Sequence, residues 1–248
     1  MYQTNQMDCL KNLAAKPFEG FPDGFLWGAA LSAKQYEGEE GRGTTVADLQ
    51  EYDSENTKGA RGDLSLDEIE ERLDHPERFC FPKKLGIEGF KRFEEDLSLL
   101  GTLGLKAFRF SLSWSRIFPN GDDRVPNEAG LAYYDRVIDC ALSHGMQPIV
   151  TIYHDDMPVS LALRYNGFLA SEVGDAYMRF AELVLDRYGS RVHWWIPFNQ
   201  PNLTRISLSS LGVVKDRVQN LEEAKVQALH NKLVLGARVA AYGRGKHP

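Results

Sequence analysis

The stretch Pro148-Ile149-Val150-Thr151-Ile152-Tyr153 is a run of apolar and β-branched residues, a pattern typical of a buried β-strand. On its N-terminal side, a helical pattern starts just after Asn127, a good helix-capping residue, and ends at Gly145. After it, a second helical pattern starts at Ser171 and continues to Tyr188. A buried strand between two amphipathic helices predicts one unit of a parallel α/β sheet.

The same alternation extends to both sides of this unit. Further strands are predicted at 25–30, 106–112 and 194–198, and further helices at 90–100 and 224–242. The chain of 248 residues has about the length of a complete (β/α)8 barrel, yet the pattern contains four strand–helix units. A flat doubly wound sheet is the alternative, which is disfavoured because no glycine-rich phosphate-binding motif follows the first strand.

The pattern also divides the chain. Residues 1–20 are interpreted as a polar lead-in, and residues 21–248 as one α/β unit. A loop excursion is expected at about 51–78, with one short helix around 66–73.

Composition excludes several classes of function. The net charge of -6 argues against nucleic-acid binding, which needs a basic face. No run of 18 apolar residues is present, so no membrane span is expected, and the N-terminus lacks the pattern of a secretory signal. Three widely spaced cysteines, Cys9, Cys80 and Cys140, fit neither a metal site nor a disulfide framework and indicate reduced thiols in the cytoplasm.

Several short segments resemble one known family when they are taken together. They are Phe21-Pro22-Asp23-Gly24-Phe25-Leu26-Trp27-Gly28-Ala29-Ala30, Gln35-Tyr36-Glu37-Gly38, Phe108-Arg109-Phe110-Ser111, Trp114-Ser115-Arg116-Ile117-Phe118-Pro119, Pro126-Asn127-Glu128-Ala129-Gly130, His154-Asp155-Asp156-Met157-Pro158 and Phe198-Asn199-Gln200-Pro201. This set is similar to glycoside hydrolase family 1, the β-glucosidases and 6-phospho-β-glucosidases, over about residues 18–248. The resemblance implies an incomplete TIM (β/α)8 barrel of the α/β class, with about four βα units of its N-terminal half.

The resemblance also implies a site at the strand ends. Gln35, His154 and Asn199 are expected to contact a sugar, Arg109 to support the site, and Gln200 to stand at the acid/base position. All five lie at or just after the end of a predicted strand, where barrel enzymes carry their reacting groups. A structural role is the alternative for Arg109 and His154, and a surface loop is the alternative for Asn199 and Gln200. Trp114, Trp194 and Trp195 are candidate platforms for a sugar face.

The chain departs from the family at its catalytic carboxylates. Retaining glycosidases use an acid and a nucleophile. At position 200 the chain carries an amide, which has no proton to give at neutral pH, although plant thioglucosidases of the family also carry glutamine there. The family's nucleophile, in a Thr-Glu-Asn-Gly type segment on the seventh strand, is not in the sequence, and Asp155 is a poor substitute for it.

These departures predict an inactive chain whose parent activity is hydrolysis of β-glucosides or 6-phospho-β-glucosides. The segment Gly41-Arg42-Gly43-Thr44-Thr45-Val46-Ala47-Asp48 is more like the bacterial 6-phospho branch. The alternative is a non-catalytic half-barrel that binds sugar or associates with itself, because open strand edges favour a homodimer. No metal and no organic cofactor are expected, since carboxylates carry out the family's chemistry.

Overall fold

A computed structural model describes residues 20–52, 63–203 and 208–246. Four parallel strands form one sheet in the order β1-β2-β3-β4. They are Gly28–Ala30, Ala107–Ser111, Gln147–Tyr153 and Trp194–Phe198. Because every strand pairs with its neighbour in sequence, the sheet winds in one direction, as in a barrel, and lacks the reversal of a doubly wound sheet.

Nine helices accompany the strands within the described residues. They are α1 Ala33–Tyr36, α2 Leu66–Asp74, α3 Pro82–Leu85, α4 Gly89–Thr102, α5 Trp114–Ile117, α6 Glu128–Ser143, α7 Val159–Tyr165, α8 Ser171–Tyr188 and α9 Leu221–Lys246. The crossover helices α4, α6 and α8 connect successive strands, and α9 packs on α8 and β4. This is half of a TIM barrel, as the sequence predicts.

Side chains at the helix starts explain where two of these helices begin. Asn127 accepts a hydrogen bond from the backbone N–H of Ala129 at the start of α6. Asn220 accepts from the backbone N–H groups of Glu222 and Glu223 at the start of α9. In the expected loop excursion, residues 63–78 contain α2 and a short 3-10 turn. The rest of the excursion at 53–62 and the lead-in at 1–19 lie outside the described residues.

The core between the sheet and the helices is rich in aromatic rings. Trp114 is fully buried, stacks on Phe180 of α8 at 5.5 Å between ring centroids, and donates from Nε1 to the carbonyl of Gly121. The expectation that Trp114 offers a platform to a sugar is therefore wrong, because the indole is part of the core. Trp194 is 44% exposed, whereas Trp195 is half-buried and donates from Nε1 to the carbonyl of Val192.

The first strand is shorter than predicted. Only Gly28–Ala30 pair with β2, and the preceding apolar residues Phe25, Leu26 and Trp27 are 40 to 54% exposed. Gly28 is needed for this pairing, since a Cβ there would lie 2.5 Å from the carbonyl oxygen of Ala107. None of the described helices is long and apolar enough to cross a membrane.

Candidate functional site

The carboxyl ends of β2, β3 and β4 are joined by polar groups. Arg109 donates from Nε to Thr151 Oγ1 over 3.0 Å and from Nη2 to Asn199 Oδ1 over 2.6 Å. The backbone N–H of Asn199 donates to the carbonyl of Tyr153 over 3.0 Å. The three strands are therefore joined by one hydrogen-bonded group, which brings Arg109 and Asn199 together.

These bonds determine which atoms face the space beyond the strands. Because Asn199 Oδ1 accepts from Arg109, the donor group of this side chain is Nδ2, which donates one N–H to Gln200 Oε1 over 3.4 Å and keeps a second N–H. Gln200 is exposed and has a φ of 38°, a left-handed conformation that non-glycine residues adopt at an energetic cost. The amide at position 200 thus projects from the strand end beside Asn199.

Gln35 lies on α1, which is fixed to the end of β2 by a hydrogen bond from the Ala33 N–H to Ser111 Oγ over 2.8 Å. Its side chain is exposed, and its Oε1 accepts from Ser32 Oγ over 2.6 Å. Like Asn199, it therefore presents an NH₂ donor. Two amide donors suit ligand oxygens such as those of sugar hydroxyl groups.

His154 follows β3 directly and is half-buried. Burial, with Lys34 and other nearby cations, lowers the pKa of His154 to about 4, so the imidazole is neutral at physiological pH. Its Nδ1 is buried and has no hydrogen-bond partner within the described residues. A neutral ring with a free nitrogen is able to exchange hydrogen bonds with a hydroxyl group.

Sequence reasoning missed a buried lysine next to the site. Lys232 of α9 is fully buried, and its Nζ lies 5.1 Å from the ring centroids of Tyr153 and Phe198 and 5.7 Å from that of Phe168. It has no hydrogen-bond partner among the described residues, and its charged neighbour is Asp155, at 3.9 Å. Burial lowers the pKa of Lys232 to about 8.

A signal for this lysine exists in the sequence. The buried residues of α9 are Ala224, Ala228, Lys232, Leu235 and Val239. Their spacing of three and four places Lys232 on the apolar face of the helix.

The carboxylates near the site are already engaged or enclosed. Glu37 accepts from Arg116 Nε and from Tyr134 Oη, each over 2.8 Å, and is buried with them. Asp156 is 1% exposed, and neither carboxylate oxygen has a hydrogen-bond partner within the described residues. Its burial raises the pKa of Asp156 to about 7. The described part of the chain contains no cluster of acidic, histidine or cysteine side chains that would hold a metal ion.

Fold and site together define a class of protein, the (β/α) barrels that collect polar groups at the carboxyl ends of their strands. The family model described as Glycosyl hydrolase family 1 matches residues 18–247, and the chain belongs to this family. The prediction of a family 1 glycoside hydrolase with a partial TIM barrel is thereby confirmed.

Individual relatives agree with this assignment. A 6-phospho-β-glucosidase from Clostridium longisporum is 35% identical over 232 residues, covering 92% of this chain and 46% of the relative. The aryl-phospho-β-D-glucosidase BglA of Bacillus subtilis is 39% identical over 238 residues, covering 92% and 47%. The solved β-glucosidase of Thermotoga maritima, in complex with a methoxycarbonyl-substituted glucoimidazole, has a TM-score of 0.72 at 31% identity, covering 92% and 47%. The chain thus spans about half the length of the relatives it matches.

Proposed function

We propose that this chain forms the sugar-binding half of a family 1 glycosidase site, for a β-glucoside or its 6-phosphate. The observation that supports it is that Gln35, His154 and Asn199 follow β1, β3 and β4 and offer two amide donors and one neutral imidazole to hydroxyl groups. Arg109 supports the site by holding Asn199. The phosphorylated form is favoured because relatives such as BglA and the Clostridium enzyme are named as phospho-β-glucosidases.

We further propose that these residues do not hydrolyse the sugar by themselves. The acid/base position carries Gln200, whose amide cannot protonate a leaving oxygen, and loss of general acid catalysis costs about 10²–10⁴-fold in rate. Glu37 and Asp156 are buried, and Asp155 lies between two lysines, so none of them is an exposed nucleophile. The arrangement supports binding without turnover.

The test compares binding with hydrolysis. Sugar binding is measured by calorimetry with p-nitrophenyl β-D-glucoside and its 6-phosphate, and hydrolysis by release of nitrophenol. We expect binding without turnover by the native chain, by Gln200→Glu, and by the control Gln147→Glu at the opposite end of β3. Turnover by the native chain would contradict the proposal, and so would equal affinity of the native chain and an Asn199→Asp variant.

A second candidate function is self-association. Phe21, Phe25 and Trp27 form an exposed aromatic cluster beside β1, with ring centroids 4.5 to 5.0 Å apart, and Trp194 is 44% exposed on β4 at the other edge. Exposed strand edges with apolar side chains favour pairing with another chain. Light scattering is expected to show a dimer that Trp194→Lys weakens; a monodisperse native monomer would contradict it.

We propose a cytoplasmic location for the chain. The exposed thiol of Cys80 and the half-buried thiol of Cys140 are both free, which suits a reducing compartment. Fractionation of the producing cells tests this placement.

A further inference from the structure

Asp155 lies directly after His154 and meets charged groups from two other parts of the chain. Its Oδ2 is 3.5 Å from Lys34 Nζ, and its Oδ1 is 3.9 Å from Lys232 Nζ. Its φ of 60° is left-handed backbone, which aspartate adopts more readily than most residues. In this conformation the carboxylate lies between two ammonium groups.

The two lysines belong to elements that carry the candidate site. Lys34 precedes Gln35 on α1. Lys232 packs over the rings of Tyr153 and Phe198, the last residues of β3 and β4, which directly precede His154 and Asn199. One carboxylate therefore connects α1, the end of β3 and, through Lys232, the end of β4.

We propose that Asp155 is a positioning residue of the sugar site: its carboxylate, shared by Lys34 and Lys232, holds α1 against the end of β3 and balances the positive charge around His154. Its effect on sugar binding rests on the proposed function, but its effect on His154 does not.

The electrostatic effect has a defined direction. Burial is the main cause of the lowered pKa of His154, and Lys34, Arg109 and Lys232 lower it further. Asp155 acts in the opposite direction, because a negative charge stabilises the imidazolium form. Further charged groups that interact electrostatically with members of this cluster are Lys83 of α3 and Asp156. Lys83 interacts in turn with Asp48, and Asp156 interacts with Arg42 and Glu37.

The first measurement is the NMR titration of the His154 imidazole. Asp155→Asn is expected to lower the pKa of His154 further, and Lys232→Met to raise it. The control is Asp186→Asn, which removes a carboxylate of α8 that pairs with Tyr242 and Lys246 and should leave His154 unchanged. General loosening of the structure would hydrate His154 and raise its pKa in both variants, so the opposite directions separate the two explanations.

The second measurement is the Kd for p-nitrophenyl β-D-glucoside. Asp155→Asn is expected to weaken binding about three- to tenfold, which lies within the range of coupling energies between neighbouring residues, and Asp155→Glu is expected to restore part of the loss. If the native chain does not bind the sugar, the proposed function fails while the titration still decides the role of Asp155. A titration of His154 in Asp155→Asn that matches the Asp186→Asn control overturns the proposal.

Discussion

Arg109 on β2 donates to Asn199 after β4 over 2.6 Å, so a single side chain crosses the intervening strand and joins two ends of the sheet. The same guanidinium also holds Thr151 of β3. Hydrogen bonds from a charged group are among the stronger ones in proteins, and leaving a buried partner unsatisfied adds a further penalty. The stability of the strand ends therefore depends on the residue that also supports the candidate site.

Replacing Arg109 with methionine is expected to lower the free energy of unfolding by about 1–3 kcal/mol, because the buried Asn199 Oδ1 loses its donor. Urea denaturation measures the change. Arg136→Met, which removes an exposed guanidinium from α6, is the matched control, with a change of about 0.5 kcal/mol or less. Equal unfolding midpoints for the two variants would show that the Arg109 bonds contribute nothing to stability.

Replacing Lys232 with methionine is expected to stabilise the protein at pH 7. The pKa of Lys232 falls from 10.5 to about 8 on folding, which corresponds to about 3 kcal/mol of destabilisation of the native chain. The variant gains only part of this energy, because Asp155 loses its partner Lys232. Since the folded state binds this proton less tightly, native stability should rise between pH 8 and 10.5 relative to Lys232→Met. Parallel stability curves for the two proteins in urea titrations across this range would contradict the assignment.

Replacing Asp156 with asparagine should stabilise the protein at pH 8 but not at pH 4. The pKa of Asp156 rises from 3.8 to about 7 on folding, so the folded state favours the protonated form. This contribution to stability is fully present below pH 3.8, the pKa of the unfolded state. It is lost as the pH rises to about 7, and the loss amounts to as much as about 4 kcal/mol.

The measurement for Asp156 is thermal unfolding from pH 4 to pH 8. Asp139→Asn, at an exposed carboxylate of α6, serves as the control and should keep the native pH dependence. A native-like profile for Asp156→Asn would mean that the Asp156 carboxyl group is not shifted.

Trp114 and Trp194 are both predicted from the sequence as candidate sugar platforms, but their replacement by alanine should have different effects on stability. Trp114→Ala removes a fully buried ring stacked on Phe180 and should cost about 3–5 kcal/mol. Trp194→Ala removes a ring that is 44% exposed and should cost about 1 kcal/mol or less. Urea denaturation of both variants checks the difference, and similar losses would place Trp194 in the core.

The sequence predicts the later strands of the sheet well, because each is a short run rich in apolar, β-branched or aromatic residues. The strand at 194–198 has the predicted bounds, and the strand around Pro148–Tyr153 begins one residue earlier, at Gln147. The first strand is shorter than predicted because an apolar run does not distinguish a paired strand from an exposed aromatic cluster. The predicted last helix, 224–242, extends from Leu221 to Lys246, since its cap at Asn220 lies immediately before it.

For the candidate site, the position of polar residues at or just after strand ends is enough to predict that Arg109, His154 and Asn199 belong to the same edge of the sheet, and the structure joins Arg109 to Asn199. The contact of Asp155 with Lys34 and Lys232 is beyond such reasoning, because the three residues are far apart in sequence and none forms part of a strand. Their roles toward a sugar stay predictions.

The buried ammonium of Lys232 has a further consequence for how the protein opens. When α9 detaches from the sheet, the ammonium returns to water and the energy that its burial costs is released. Local opening of α9 is therefore easier than that of α6, whose buried residues are apolar side chains, tyrosines and a glycine. Backbone amides of α9 should therefore exchange with deuterium sooner than those of α6.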